Sequence, residues 1–300
     1  MMRSKLYSRN LARFALLLSI TLLIFNTSGC EYKKEYTYLK ESIPDAIRDI
    51  CKNEYKMDVS TKMTGSTVWI YIPVEDMVSE PDKKKKPEKF IERFVVEEDR
   101  GGFIDQRLKL DYLVRAVPET EKAQSVVYSK DAIQKRIYIW QVINRIIFSM
   151  KPQKSQGIEF FSVVMADIKN GFVVREIYYF LDIKKVAYGL LSYTEFQHRT
   201  VQDTQVAPEV IGDKAGITIN YRDITMPDFI ASQILNRIRM KFQKPEVKQN
   251  ADVDKEVEKI IAVTVKTYDF KDFSEAELNN LISNKRIILN RAAIWAKPIE

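Results

Sequence analysis

Histidine, cysteine and glycine are scarce in this chain, and their scarcity argues against several kinds of functional site. The 300 residues include one histidine, two cysteines and nine glycines. Zinc sites usually need several His or Cys ligands, so we expect no metal centre. The chain has no G-x-x-x-x-G-K-[ST] loop and no dinucleotide fingerprint, so we expect no cofactor. A Ser-His-Asp site would need His198, but there is no G-x-S-x-G elbow, and we interpret His198 as a surface or helix-end residue.

Carboxylates are the remaining candidates for acid–base chemistry. Glu97, Glu98 and Asp99 lie just before the glycine pair Gly101-Gly102. Glycoside hydrolysis requires two carboxylates about 5–10 Å apart without fixed sequence spacing, so this activity stays open. Adjacent strand residues point to opposite faces, and we therefore interpret the three acids as a solvated turn.

The most apolar run of the chain lies near its N-terminus. Residues 1–13 contain four basic residues and no acid, and an apolar segment of about a dozen residues, 14–25, follows. A helix that spans a membrane needs about 20 apolar residues. A basic start followed by a short apolar segment is typical of a cleaved secretory signal.

This segment ends with Ser28 and Gly29 directly before Cys30, and Thr27 precedes them. The pattern resembles the lipobox of bacterial lipoprotein signals, in which Leu usually stands at the position of Thr27. The resemblance covers the first thirty residues and implies cleavage after Gly29 and acylation of Cys30. The next residue is Glu31. In this family an Asp at that position commonly signals retention in the inner membrane. The resemblance therefore implies an outer-membrane lipoprotein that faces the periplasm and is anchored in the membrane by its acyl chains.

Net charge gives little support for a nucleic-acid partner. The chain contains 48 basic and 41 acidic residues, for a net charge of +7, and four of the basic residues lie before Cys30. Cleavage would leave 44 basic residues against 41 acidic ones, a net charge of +3. Nucleic-acid binding needs a clustered basic face, so we expect no such partner.

A run of four lysines stands out within SEPDKKKKPEK, residues 79–89. It consists of Lys83, Lys84, Lys85 and Lys86. The run suits contact with anionic head groups or glycans, but such runs are more often solvated loops. Tyr32, Tyr36 and Tyr38 similarly suit either a membrane interface or a plain amphipathic tether.

Cys51 has no partner for a disulfide if Cys30 is acylated. It falls at helical spacing with Ile43, Ile47 and Ile50, which predicts an inward face with a buried thiol.

The sequence predicts an α+β fold with largely antiparallel sheets, built from hairpins packed against helices. We divide the chain into a signal peptide (1–29), a lipidated tether (30–41), and α+β subdomains at 42–117 and 129–300, which could form one continuous domain. A unit of a capped helix followed by strands recurs at 42–74, 129–181 and 225–270.

Within these units several finer features are predicted. The helix that starts near Ser129 has a broad apolar face, which predicts burial on more than one side and a central position. Asn170-Gly171 predicts a two-residue hairpin turn that places Val164 opposite Ile177, with Asp167 and Glu176 near a solvated tip.

Six segments have simpler assignments. Residues 90–97 and 103–117 are predicted strands joined through the glycine pair, and 201–216 a loop. Residues 217–224 and 260–270 are predicted strands, and a helix is predicted to start at Ser274.

For function, the sequence favours a non-enzymatic envelope lipoprotein that binds or scaffolds another envelope protein. A carrier of a small apolar or lipid ligand is a second hypothesis, because Tyr178, Tyr179 and Phe180 suit either a ligand pocket or cross-strand core pairs. A hydrolase of cell-wall glycan that uses paired carboxylates is a third.

Mass spectrometry of the mature amino terminus tests the lipobox. We expect a chain that begins at Cys30 and has gained the mass of its acyl groups. An unmodified Cys30 still preceded by Gly29 contradicts the lipoprotein hypothesis.

Overall fold

The computed structural model describes residues 37–81, 89–123, 126–150, 157–243 and 247–298. The predictions for Gly29, Cys30 and the four lysines lie outside these ranges, as do the side chains of Glu98 and Asp99. The division into subdomains at 42–117 and 129–300 stays a prediction.

The described residues include seven α-helices and eleven strands, and the predicted α+β class is confirmed. The helices are α1 Ile43–Tyr55, α2 Lys130–Ser149, α3 Phe180–Ala187, α4 Tyr193–Arg199, α5 Met226–Phe242, α6 Val253–Thr267 and α7 Arg291–Ala296. The strands are β1 Ser60–Thr64, β2 Thr67–Val74, β3 Val78–Ser79, β4 Lys89–Ile104, β5 Arg107–Ala123, β6 Val127–Tyr128, β7 Phe160–Asp167, β8 Phe172–Tyr179, β9 Val201–Val206, β10 Glu275–Asn280 and β11 Lys285–Asn290.

The strands form two main sheets in which most neighbours are antiparallel, as predicted. The first sheet has the order β1-β2-β7-β8-β9, and its one parallel pair, β2–β7, joins two hairpins. The second has the order β11-β10-β5-β4, with β10 and β5 parallel. A short ladder pairs β3 with β6.

The first sheet is covered on both faces. Helices α1 and α2 pack on one face, where they bury an apolar cluster that includes Cys51. On the other face, α5 and α6 share a larger cluster with the inner side of the second sheet. Burial raises the pKa of Cys51 to about 12, which agrees with the predicted core thiol.

The central helix is α5, and the prediction that gave this position to α2 is wrong. The apolar residues that α5 turns inward are all buried: Phe229, Ile230, Ile234, Ile238 and Phe242. In α2, by contrast, Ile133 and Ile137 are 48% and 44% exposed. Part of the broad apolar face of α2 therefore borders solvent.

The recurring unit is confirmed twice, as α1-β1-β2 and α2-β7-β8. Its third copy is wrong, because α5 is followed by α6, which contains most of the predicted strand 260–270. Val257, Ile261 and Val265 are buried at a spacing of four residues, and the Asp252 side chain caps the helix. Helical burial here overrides the β propensity of the valines and isoleucines.

The β7–β8 hairpin has a longer turn than predicted. Val164 lies opposite Arg175 rather than Ile177, a shift of two residues that leaves each side chain on its predicted face. The Asp167 carboxylate accepts hydrogen bonds from the N–H groups of Lys169 (3.1 Å), Asn170 (2.7 Å) and Met77 (2.8 Å). Asp167 and Glu176 are buried, which corrects the prediction of a solvated charged tip.

The glycine pair does not form a turn. Strand β4 continues through Gly101 and Gly102, and the chain reverses at Asp105 and Gln106, which have φ angles of 49° and 58°. A side chain at Gly101 would meet Leu110 at 2.9 Å and Leu235 of α5 at 3.0 Å. Glycine is therefore needed here for the close approach of the central helix.

Other segments also differ from their predicted structure. β9 lies within the predicted loop 201–216, and β10 replaces the helix predicted at Ser274. Residues 217–224 form no strand; instead Asp223 accepts hydrogen bonds from the Ser66 N–H (3.0 Å) and the Thr67 hydroxyl (2.9 Å). Pro73 lies inside β2, beyond the residues that β1 pairs.

Replacing the two adjacent glycines tests this packing. We expect Gly101→Val to lower the free energy of unfolding by about 1–3 kcal/mol, because the new methyl groups would overpack against Leu110 and Leu235. Gly102→Val is the matched control, since a side chain there meets nothing within 4 Å. Equal losses of stability for both variants in urea unfolding would contradict the packing role of Gly101.

Candidate functional site

An open groove of about 1050 Å³ lies between α2, α4, β9 and the C-terminal half of α5. We call it the β9 groove. Its floor is the part of the first sheet that α2 leaves uncovered, formed by Met165, Val174, Glu176 and Tyr178. These four side chains share one face, because they occupy alternating or directly paired positions on β7 and β8.

Aromatic side chains line one end of the β9 groove. The Phe196 ring stacks on Tyr178 at 5.9 Å and lies 4.9 Å from Trp140, measured between centroids. The exposed rings of Tyr128 and Tyr193 border the opening. Of the two alternatives for Tyr178, both apply in part, since this residue belongs to the core and also forms the groove floor.

An ion pair with one buried partner sits in this apolar floor: Glu176 is buried, whereas the Arg136 side chain is 45% exposed. The Arg136 guanidinium contacts both oxygens of Glu176, with Nε–Oε2 at 3.0 Å and Nη2–Oε1 at 2.5 Å. The Tyr178 hydroxyl also donates to Glu176. Burial, reinforced by the Glu176 charge, raises the pKa of Tyr178 well above its ordinary value. Burial alone would lower the pKa of Arg136, but Glu176 raises it, so the guanidinium stays charged.

Strand β9 forms the edge of the first sheet beside the groove. Side chains of α5 donate to three alternate backbone carbonyls, two in the segment that leads into β9 and one on β9 itself: Gln233 Nε2 to His198 (2.7 Å), Asn236 Nδ2 to Thr200 (3.0 Å) and Arg239 Nη1 to Gln202 (3.4 Å). These donors partly substitute for a further strand.

Beyond Gln202 the same edge is open. Because Gln202 turns its carbonyl away from β8, the alternation of the antiparallel ladder turns the backbone groups of Thr204 and Val206 outward as well. Ala207 confirms the alternation, since its N–H points inward and donates to Gly171 O at 2.9 Å. Within the described residues, no partner is found for the outward N–H and C=O of Thr204, which lines the groove.

Helix α4 is held against the groove by a network of charges. Arg199 contacts Glu195 at 2.8 Å and the buried Asp182 at 3.2 Å, and Arg237 lies 3.4 Å from Glu195. Burial raises the pKa of Asp182, which opposes its ionisation in spite of Arg199. His198 occupies the helix end, as predicted, and its Nδ1 lies 3.8 Å from Glu195.

The arrangement gives no support to the hydrolase hypothesis. Both oxygens of Glu176 are engaged, and Asp203, at the groove border, pairs with Arg175 at 3.4 Å on the opposite face of the sheet. Glu97 lies on β4 and pairs with Arg115, away from the groove. Among the described residues there is no cluster of three or more His, Cys, Asp or Glu side chains suited to a metal.

The groove could not be found from the sequence, because its parts come from seven separate elements. A weak signal existed in Gln233 and Asn236, two amides within the otherwise apolar inward stripe of α5. Within the described ranges, none of the helices combines the length and apolarity needed to cross a membrane.

Comparisons of the chain with protein-family models, with curated proteins and with solved structures find no match. Function is therefore inferred from the groove and from the N-terminal segment.

A substitution at the ion pair tests its burial. We expect Arg136→Met to lower the free energy of unfolding by about 2–4 kcal/mol, because it leaves the Glu176 carboxylate buried and unpaired while much of the stem packing is kept. Arg48→Met is the control: Arg48 pairs with Asp45 at 2.6 Å, but both side chains are exposed, so the expected change is below about 1 kcal/mol. Similar losses for both variants would contradict the role of Arg136 in pairing the buried Glu176 carboxylate.

Proposed function

We propose that this protein is a lipid-anchored, non-enzymatic binding module of the bacterial envelope, and that its β9 groove holds an extended segment of a partner polypeptide. The observation that supports this most directly is the open half of the β9 edge, which lies beside an apolar and aromatic groove.

The chemistry of an open strand edge favours a polypeptide. An added strand pairs its backbone with the free N–H and C=O groups of the edge, and its alternate side chains enter pockets beside it. At β9 the outward groups of Thr204 offer the pairing. The exposed side chains of Ile137, Tyr128 and Tyr193 along the groove offer an apolar surface for the side chains.

The N-terminal segment supports the location. A lipobox-like sequence at 27–30 fits an acylated Cys30, and Glu31 fits the outer membrane on its periplasmic side. An acyl anchor keeps a binding module near its partners and so raises their effective concentration. The partner proposed is accordingly another envelope protein.

A carrier of a small apolar ligand is the second candidate. It is favoured by the stacked rings of Tyr178 and Phe196 and by a groove volume near the upper end of small-molecule sites, about 300–1,000 Å³. The open side of the groove and the free strand edge favour the polypeptide instead.

Site-specific crosslinking in native envelopes tests the proposal. A photo-crosslinking amino acid replaces Ile133 at the groove wall, which is 48% exposed, and in the control replaces Ile288 on the second sheet, which is 51% exposed. We expect adducts to one polypeptide at Ile133 but not at Ile288. Mass spectrometry should map the crosslink to an extended apolar segment of that polypeptide.

A proline at the open edge sharpens this test. Thr204→Pro removes an N–H that does not pair with β8, so we expect the fold to survive and the Ile133 adduct to fall about tenfold, as loss of pairing in the groove predicts. Thr204→Val keeps the N–H and should keep the adduct. Equal adducts in both variants, or in both crosslinker positions, would overturn the polypeptide proposal. A copurifying lipid without any adduct would favour the carrier.

A further inference from the structure

Exposed apolar side chains gather at one corner of the fold, around the end of α3. Tyr188 and Leu190 are 63% and 77% exposed. Leu181 is also exposed and lies seven residues before Tyr188, which places both on the same face of the helix. Isolated apolar residues on a surface are ordinary, but a cluster of them marks a surface for contact.

The described chain begins at this same corner. The N–H groups of Thr37 and Tyr38 both donate to Ser149 O, at 2.9 and 3.2 Å, at the end of α2. The neighbouring Phe148 packs edge-on against Tyr188, with 5.5 Å between ring centroids. The exposed Leu39 follows directly. The start of the described chain therefore lies close to Tyr188, because it binds Ser149 and the adjacent Phe148 contacts Tyr188.

Covalent geometry limits how far this corner can lie from Cys30. Thr37 is the seventh residue after Cys30, and even fully extended the chain between them spans at most about 25 Å. If Cys30 holds acyl chains in a bilayer, the corner at Thr37 remains within that distance of the membrane surface. The second sheet lies on the other side of the first sheet and of α5 and α6.

The side chains at this corner have the chemistry of an interfacial contact. Tyrosine and leucine suit the boundary between head groups and acyl chains. Lys184 and Lys185 lie in the last turn of α3, beside Tyr188, where anionic lipid phosphates would attract them.

We propose that the corner formed by Leu39, Leu181, Tyr188 and Leu190 rests on the surface of the membrane that holds the acyl anchor. This inference depends on the lipid anchor of the proposed function and is independent of what the β9 groove binds. It assigns an orientation to the molecule: the end of α3 faces the bilayer, and the outer side of the second sheet faces away from it.

Fluorescence quenching in vesicles tests this orientation on the lipidated full-length chain. A single cysteine is introduced by Leu190→Cys or, as control, by Ile288→Cys, and is labelled with an environment-sensitive nitrobenzoxadiazole probe. Selective labelling is expected because Cys30 is acylated and Cys51 is a buried thiol. The vesicles contain phosphatidylethanolamine and phosphatidylglycerol with a nitroxide-labelled lipid.

We expect the nitroxide to quench the probe at position 190 severalfold more strongly than the probe at position 288, together with a blue shift at position 190 alone. Equal quenching at the two positions, whether weak or strong, would overturn the inference. Mass spectrometry of the same sample separates the two ideas. A chain without acyl groups refutes the anchor and this contact with it, whereas an acylated chain with equal quenching refutes the contact alone.

Discussion

Helix α5 lies between the two sheets, and its buried amides Gln233 and Asn236 hydrogen-bond to the backbone of the segment that leads into β9. An amide buried in an apolar interior is costly unless it is paired, so these bonds fix both the rotation of α5 and the position of the sheet edge. The second sheet then packs on the other side of α5, where Gly101 allows Leu235 to approach β4. Both sheets therefore depend on the position of this one helix.

The same arrangement explains why a groove remains. The side chains of α5 reach the β9 edge only as far as Gln202, and α2 covers the first sheet only in part. The uncovered floor contains the Arg136–Glu176 pair, which is stable because both charges and the Tyr178 hydroxyl satisfy one another. A wholly apolar floor would bind without orientation, whereas a fixed charge pair gives an occupant a defined polar contact.

Local signals predicted much of the secondary structure and little of its assembly. The helix predicted to start near Ser129 does so, because capping depends on neighbouring residues alone. The prediction at 260–270 is wrong because tertiary burial selects a helix there. The prediction for the turn after β7 is wrong because the Asp167 carboxylate also accepts a hydrogen bond from the N–H of Met77, ninety residues away. The groove combines seven elements, and no local pattern specifies such a combination.

Helix α2 connects the two surfaces proposed for contact. Its first half contributes Ile133 and Ile137 to the β9 groove, and its last residue, Ser149, receives the start of the described chain. Ser149 is the sixteenth residue after Ile133, which corresponds to about 24 Å along a helix. A continuous helix packed against α1 and the first sheet is a stiff spacer. A segment bound in the groove would thus be held at a fixed distance from the corner proposed to rest on the membrane. A flexible tether alone could not fix this distance.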